Sequence, residues 1–141
     1  MNEPAPPKPP HERTCTLHVC MSCRSPGTPR EPREQRPGFL FYRELRRAID
    51  ASPLRQRVDV QPAECLSVCP RPCGIALSSE GSWTYLFGDQ QPGQSAADVM
   101  ACVAQYLETL DGYMARSQRP ESLRASILGR IPPSLGGRSC T

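Results

Sequence analysis

Apolar positions along the chain fall into short patterned runs separated by proline, glycine and charge. Thr16–Cys20 alternates, with Leu17 and Val19 on one face, and reads as a short strand. The stretch after Cys23, Arg24–Pro37, carries Pro26, Pro29, Pro32 and Pro37 and cannot hold a regular helix. From Phe39 to Ala51 the period changes. Phe41, Leu45, Ala48 and Ile49 recur at three- and four-residue steps opposite Arg43, Glu44, Arg46, Arg47 and Asp50, which predicts an amphipathic helix stopped by Pro53. Arg57–Gln61 alternates again around Val58 and Val60, and Pro62 opens a cysteine-rich loop that runs to Gly74. Ile75–Ser78 and Trp83–Phe87 read as strands joined by a turn at Gly81. Ser95 followed by Asp98 predicts a capped start to a second helix, Ala96–Leu110, whose stripe is Val99, Met100, Val103, Tyr106, Leu107 and Leu110; Asp111-Gly112 ends it.

The predicted order is β-α-β-β-β-α. Parallel pairing of the first two strands around the crossover helix, followed by an antiparallel hairpin, gives a four-stranded mixed sheet with two main helices. That is an α/β, thioredoxin-like core over residues 14–112. Residues 113–141 form an extension in which Glu121–Leu128 suits one or two helical turns, with Leu123, Ile127 and Leu128 packing on the core.

Composition changes this picture at the start of the chain. Residues 1–13 hold five prolines and four charged residues and too little apolar surface to offset the entropy of ordering, so a disordered lead is expected. There is no continuous apolar stretch of the roughly 20 residues that a membrane span needs, nor a secretory signal, and the expected location is the cytoplasm. The net charge of +3 does not make a nucleic-acid surface: acidic residues are interleaved with the arginines, and only Lys8 is lysine. No phosphate-cradling glycine loop, serine triad or carboxylate pair stands out, so no enzyme activity is expected.

The eight cysteines carry the chemistry. Without an export signal, clustered cysteine points to metal or redox chemistry rather than to disulfides. Cys20 and Cys23 form a C-x₂-C pair; Cys65, Cys69 and Cys73 form a triplet; Cys15, Cys102 and Cys140 lie apart. The pair ends the first strand and the triplet follows the second. If those strands are parallel neighbours, all five thiols emerge at one edge of the sheet. Four thiolates repel one another unless a cation or cluster neutralises them, and both Zn²⁺ and [2Fe–2S] accept such ligation.

Two resemblances rest on these residues. Glu64–Cys69, E-C-L-S-V-C, resembles the second cysteine motif of thioredoxin-like [2Fe–2S] ferredoxins, including the small cluster-bearing subunit of respiratory complex I. The resemblance implies Cys20, Cys23, Cys65 and Cys69 as ligands, although the complex I type separates its first two cysteines more widely than C-x₂-C. A broader resemblance covers about Thr16 to Pro133. T-L-H-V-C-M-S-C-R, E-C-L-S-V-C-P-R-P-C, W-T-Y-L-F-G-D, R-P-E-S-L-R and R-I-P-P are similar to an uncharacterised bacterial family described as metal-binding, with a ferredoxin-like cysteine pattern. Some members are associated with cobalamin-biosynthesis genes and CobW-type metal chaperones. That family's pattern also includes Cys73, a ligand or a spare thiol beside one.

The leading expectation is therefore a [2Fe–2S] electron carrier or cluster-bearing accessory protein. The alternative is a zinc- or cobalt-binding metal-trafficking protein using the same thiolates, linked to cobalamin metabolism. A redox protein or a metal chaperone would be the partner, and a homodimer is compatible with the sequence. A third reading, a dithiol oxidoreductase at Cys20-Met21-Ser22-Cys23, lacks the helix N-terminus that activates a thioredoxin-type nucleophile, because the proline-broken loop follows instead. Cys102 suits a small buried hydrophobe within the second helix, Cys15 a structural role, and Cys140 an incidental one. His18 reads as strand surface and His11 as part of the lead. Trp83 and Tyr85 read as sheet and core aromatics, and Arg71 as either a counter-charge to a reduced cluster or a solvated side chain.

Overall fold

A computed structural model of the protein describes residues 13–23, 32–66, 71 and 73–134. The elements in chain order are β1 (Cys15–Cys20), α1 (Pro37–Asp50), β2 (Val58–Ala63), β3 (Ile75–Ser78), β4 (Thr84–Phe87), α2 (Ala96–Glu108), α3 (Ser122–Ala125) and β5 (Ile127–Ile131). They build one mixed sheet in the order β2-β1-β3-β4-β5. β1 and β2 are parallel, with Cys15 opposite Val58 and Cys20 opposite Ala63; the β1–β3, β3–β4 and β4–β5 pairs are antiparallel. The predicted parallel pair and hairpin are present.

Strand alternation decides which face is covered. Cys15, Leu17 and Val19 of β1, Val58 and Val60 of β2, Ile75 and Leu77 of β3, and Tyr85 and Phe87 of β4 are all buried. Thr16 and His18, between them, are half-buried. α1 brings Phe41, Tyr42, Leu45 and Ile49 to the core, and packs on β1, β2 and α2. α2 adds Val99, Cys102, Val103, Tyr106 and Leu107. Full burial of such a side chain contributes about 1.5–3 kcal/mol. The aromatic centre is ordered: Tyr85 stacks on Phe87 at 5.9 Å and meets the edge of Tyr106 at 6.1 Å. Tyr85 Oη accepts the Met114 amide hydrogen at 2.7 Å, which ties the chain beyond α2 to the core.

Four expectations need correction. The sheet has five strands, not four, because β5 adds to β4 with Thr84 opposite Ile131. Its sequence, I-L-G-R-I, does not alternate cleanly and holds a glycine that weakens a strand on its own; pairing with β4 supplies what propensity lacks. The stretch Glu121–Leu128 makes a single helical turn at Ser122–Ala125, and Ile127 already belongs to β5. Ser95 does not cap α2 with its side chain; its hydroxyl accepts from the Gln91 amide at 2.9 Å instead. Pro62 lies inside β2 rather than after it, which an edge strand tolerates because an N–H is needed on only one side.

Arg13 is buried just before β1. Its guanidinium donates to the Thr109 carbonyl, to Thr109 Oγ1 at 3.0 Å and to Ser82 Oγ at 2.5 Å, and lies 5.5 Å from the centre of the Tyr106 ring. No helix among the described residues is long and apolar enough to cross a membrane.

Candidate metal centre

Parallel pairing of β1 and β2 sets the site. Cys20 is the last residue of β1 and stands opposite Ala63, the last of β2, so the chain leaves both strands at the same edge of the sheet. The Met21 amide donates to the Ala63 carbonyl at 2.8 Å and continues that pairing one step further. On the other side of β1, the Cys20 amide donates to the Gly74 carbonyl at 3.0 Å, drawing in the end of the cysteine loop. Cys65 and Cys73 therefore flank Cys20 on opposite arms of one loop.

Three of the thiols are linked. Cys20, Cys23 and Cys73 are buried and form a chain of side-chain hydrogen bonds, Cys20 to Cys23 and Cys23 to Cys73. Backbone N–H groups also address the sulfurs: those of Leu66 and Ser22 reach Cys20, and that of Gly74 reaches Cys23 Sγ at 3.3 Å. The bond to Cys23 and then burial push the Cys20 thiol well above its ordinary value, against the Leu66 and Ser22 amides. At Cys23 the bond from Cys20 pulls down, but the bond to Cys73 and burial outweigh it and leave the thiol at about 11. Cys73, at the accepting end, is lowered by its bond from Cys23 despite burial. N–H groups aimed at sulfur favour thiolate, the form that binds metal.

Cys65 is exposed, and Cys69 lies outside the described residues, as does Cys140. Among the described residues no group of three or more His, Cys, Asp or Glu side chains is arranged to hold one metal ion: the three linked thiols form a chain rather than surrounding a common point. The donor set is nonetheless chemically suited to a soft metal or an iron–sulfur cluster, being all thiol, with amide donors already placed on two sulfurs. Cys15 sits at the far end of β1, and Cys102 lies within α2; burial pushes each to about 12. His18 is half-buried on the sheet face opposite Leu17 and Val19.

The second arm of the loop is fixed by Arg71 together with Gly88, Asp89 and Gln90, which the sequence did not single out. Arg71 Nε donates to Asp89 Oδ2 at 2.8 Å and Arg71 Nη2 reaches the Ala125 carbonyl at 3.2 Å. The Asp89 amide returns a bond to the Arg71 carbonyl at 3.0 Å, and Cys73 and Gln90 exchange both backbone bonds at 3.1 and 3.2 Å. Gly88 permits the contact, since a Cβ there would stand 2.5 Å from the Arg71 carbonyl oxygen. Asp89 itself adopts φ of 57°. The sequence suggests a counter-charge to a cluster or a solvated side chain for Arg71; its exposed guanidinium instead pairs with Asp89.

α1 begins against the C-x₂-C pair. The Gly38 amide donates to the Cys23 carbonyl at 3.1 Å, so the helix N-terminus lies against the thiols from which it was expected to be separated. The bond goes to the carbonyl oxygen rather than to the sulfur, and the Cys23 thiol is raised above its ordinary value, not lowered as in an activated nucleophile. Only the Pro37-Gly38 pair at the start of the helix signalled such a close approach.

No curated protein matches the chain. Two solved structures of a thioredoxin-like [2Fe–2S] ferredoxin from Aquifex aeolicus share its fold. One superposes with a TM-score of 0.56 at 18% identity, covering 87% of this chain and 98% of the ferredoxin. The other, the wild-type crystal structure, gives 0.53 at 18% identity, covering 83% and 98%. The architecture is thus thioredoxin-like. Residues 17–133 match a family described as "Protein of unknown function (DUF1636)", and the chain belongs to that family.

Proposed function

We propose that the chain is a small carrier of a [2Fe–2S] cluster, serving as a one-electron carrier or as a cluster-bearing accessory protein rather than as an enzyme in its own right. The observation that carries this reading is the buried, hydrogen-bonded run Cys20–Cys23–Cys73 at the sheet edge, with amide donors on the Cys20 and Cys23 sulfurs. A bound cluster would supply a one-electron couple, and Cys20, Cys23, Cys65 and Cys69 would hold it. Cys73, already bonded to Cys23, stands beside them as a further ligand or as the replacement for Cys69. The ferredoxin fold of the structural neighbours supports the same reading. The cytoplasm is the location we assign.

One observation favours a second reading. Cys65 is exposed while three other thiols of the site are buried, and an exposed thiol is where a metal can pass between carriers. A zinc- or cobalt-trafficking protein, in the cobalamin context of the resembling family, would use the same set. Metal analysis separates the two. Anaerobically purified protein should absorb in the visible and carry iron and acid-labile sulfide in equal amounts. Colourless protein with stoichiometric zinc or cobalt and no sulfide would replace the cluster with metal trafficking.

A further inference from the structure

The α1 helix that starts on the thiols also carries an exposed basic face. Arg43, Arg46 and Arg47 are exposed, and Leu40 is 46% exposed although it is apolar. Leu40, Arg43 and Arg47 are three and seven residues apart and lie on one helix face, where they line a shallow groove together with Glu44. The groove sets two guanidiniums against one carboxylate, and Glu44 shares the Gly93 amide hydrogen between its two oxygens, at 3.1 and 3.0 Å. Arg46 is turned to Tyr42 Oη at 2.6 Å, whereas Arg43 and Arg47 make no ion pair among the described residues.

Distance gives the patch its meaning. Gly38 touches the Cys20–Cys23 turn, and at 1.5 Å per residue the helix reaches Arg47 only about 14 Å further along. Leu40 is only two residues from Gly38, so a protein seated on this face reaches the cysteine edge of the sheet with its Leu40 end. We propose that the Leu40–Arg43–Arg47 face of α1 is the docking surface for an acidic redox protein, one that presents carboxylates around an apolar side chain. The exposed apolar Leu40, at the end of the row nearest the thiols, favours such a protein over nucleic acid, whose phosphate backbone offers it no apolar partner. Long-range attraction between the unpaired arginines and an acidic partner sets orientation and encounter rate more than final affinity. The proposal rests on the cluster reading for the nature of the partner, and its test does not.

The full chain, labelled with ¹⁵N, is titrated with a synthetic peptide alternating glutamate and leucine, with its lysine counterpart and with a short DNA duplex. The glutamate peptide should shift the amides of residues 40–47. Arg43→Glu combined with Arg47→Glu should weaken it about tenfold, as should raising salt from about 0.05 to about 0.5 M. The lysine peptide should leave those amides unmoved. Shifts confined to other surfaces, or unchanged affinity in the folded double variant, would overturn the docking surface; tighter binding of the duplex through the same arginines would overturn its assignment to an acidic protein. Iron and sulfide assayed on the same samples report on the cluster separately, so failure of one reading is distinguishable from failure of the other.

Discussion

Gly38 and Cys20 are packed so closely that no other side chain fits between them: a Cβ on Gly38 would stand 2.1 Å from the Cys20 carbonyl oxygen and 3.0 Å from Cys23 Cβ. In an exposed helix interior, Gly→Ala stabilises by up to about 1 kcal/mol. Here the added carbon meets backbone, and either the α1 N-terminus or the Cys20–Cys23 turn must move. Gly38→Ala should destabilise by at least about 2 kcal/mol, the scale of overpacking a tight contact, and should lose bound metal. Urea unfolding with metal analysis checks both. A variant more stable than the parent would show that the contact is not tight.

The thiols divide by place in the fold. Cys20→Ser or Cys23→Ser should abolish metal retention. Cys15→Ala and Cys102→Ala should keep the metal stoichiometry and lose about 1–2 kcal/mol of stability through lost packing. Inductively coupled plasma analysis of each purified variant decides the first point and thermal unfolding the second.

Alkaline pH should weaken the fold through the two cysteines away from the site. Burial raises Cys15 and Cys102 from an ordinary value of 9.0 to about 12; Arg13 and Arg57 beside Cys15, and Arg119 beside Cys102, offset only part of it. Below pH 9.0 the thiols are protonated in both states and cost nothing. Between 9.0 and about 12 the unfolded chain releases protons that the native chain keeps. Stability therefore falls as pH rises through that window, by about 1.4 kcal/mol per pH unit for each group. Urea midpoints at several alkaline pH values should drop more steeply for the parent than for the Cys15→Ala, Cys102→Ala double variant. Equal slopes would remove these thiols from the account.

The Arg71–Asp89 pair tests whether the Cys73 arm matters to the site. Both side chains are over 40% exposed, so the pair itself contributes no more than about 1 kcal/mol. Asp89→Gly keeps the left-handed backbone and deletes only the pair. It should leave unfolding almost unchanged while chelator-driven metal loss becomes severalfold faster. Unaltered loss rates would show that Cys73 needs no such support.

Much of the fold was legible because its elements follow strong periods. The Phe41–Leu45–Ile49 stripe, the Val58–Val60 alternation and the parallel β1–β2 pair that gathers the cysteines all stand as read. β5 was hidden because Ile127–Ile131 has no clean alternation and gains its strand character from β4. At the site, the predicted topology pointed to five thiols at one edge, with Cys20, Cys23, Cys65 and Cys69 as ligands and Cys73 beside them. The structure links Cys20, Cys23 and Cys73, leaves Cys65 exposed, and Cys69 lies outside the described residues. The amides of Ser22, Leu66 and Gly74 on sulfur could not be read, since a backbone donor leaves no mark on residue identity. Nor could Asp89, which acts on the loop from eighteen residues away.

The central claim is a [2Fe–2S] cluster on these thiols, and electron paramagnetic resonance of the anaerobically purified, dithionite-reduced protein tests it most directly. The account predicts an S = 1/2 signal integrating to about one spin per two irons, present in Cys15→Ala and Cys102→Ala and absent in Cys20→Ser. A protein that stays silent on reduction, with zinc or cobalt in place of iron and sulfide, would contradict it.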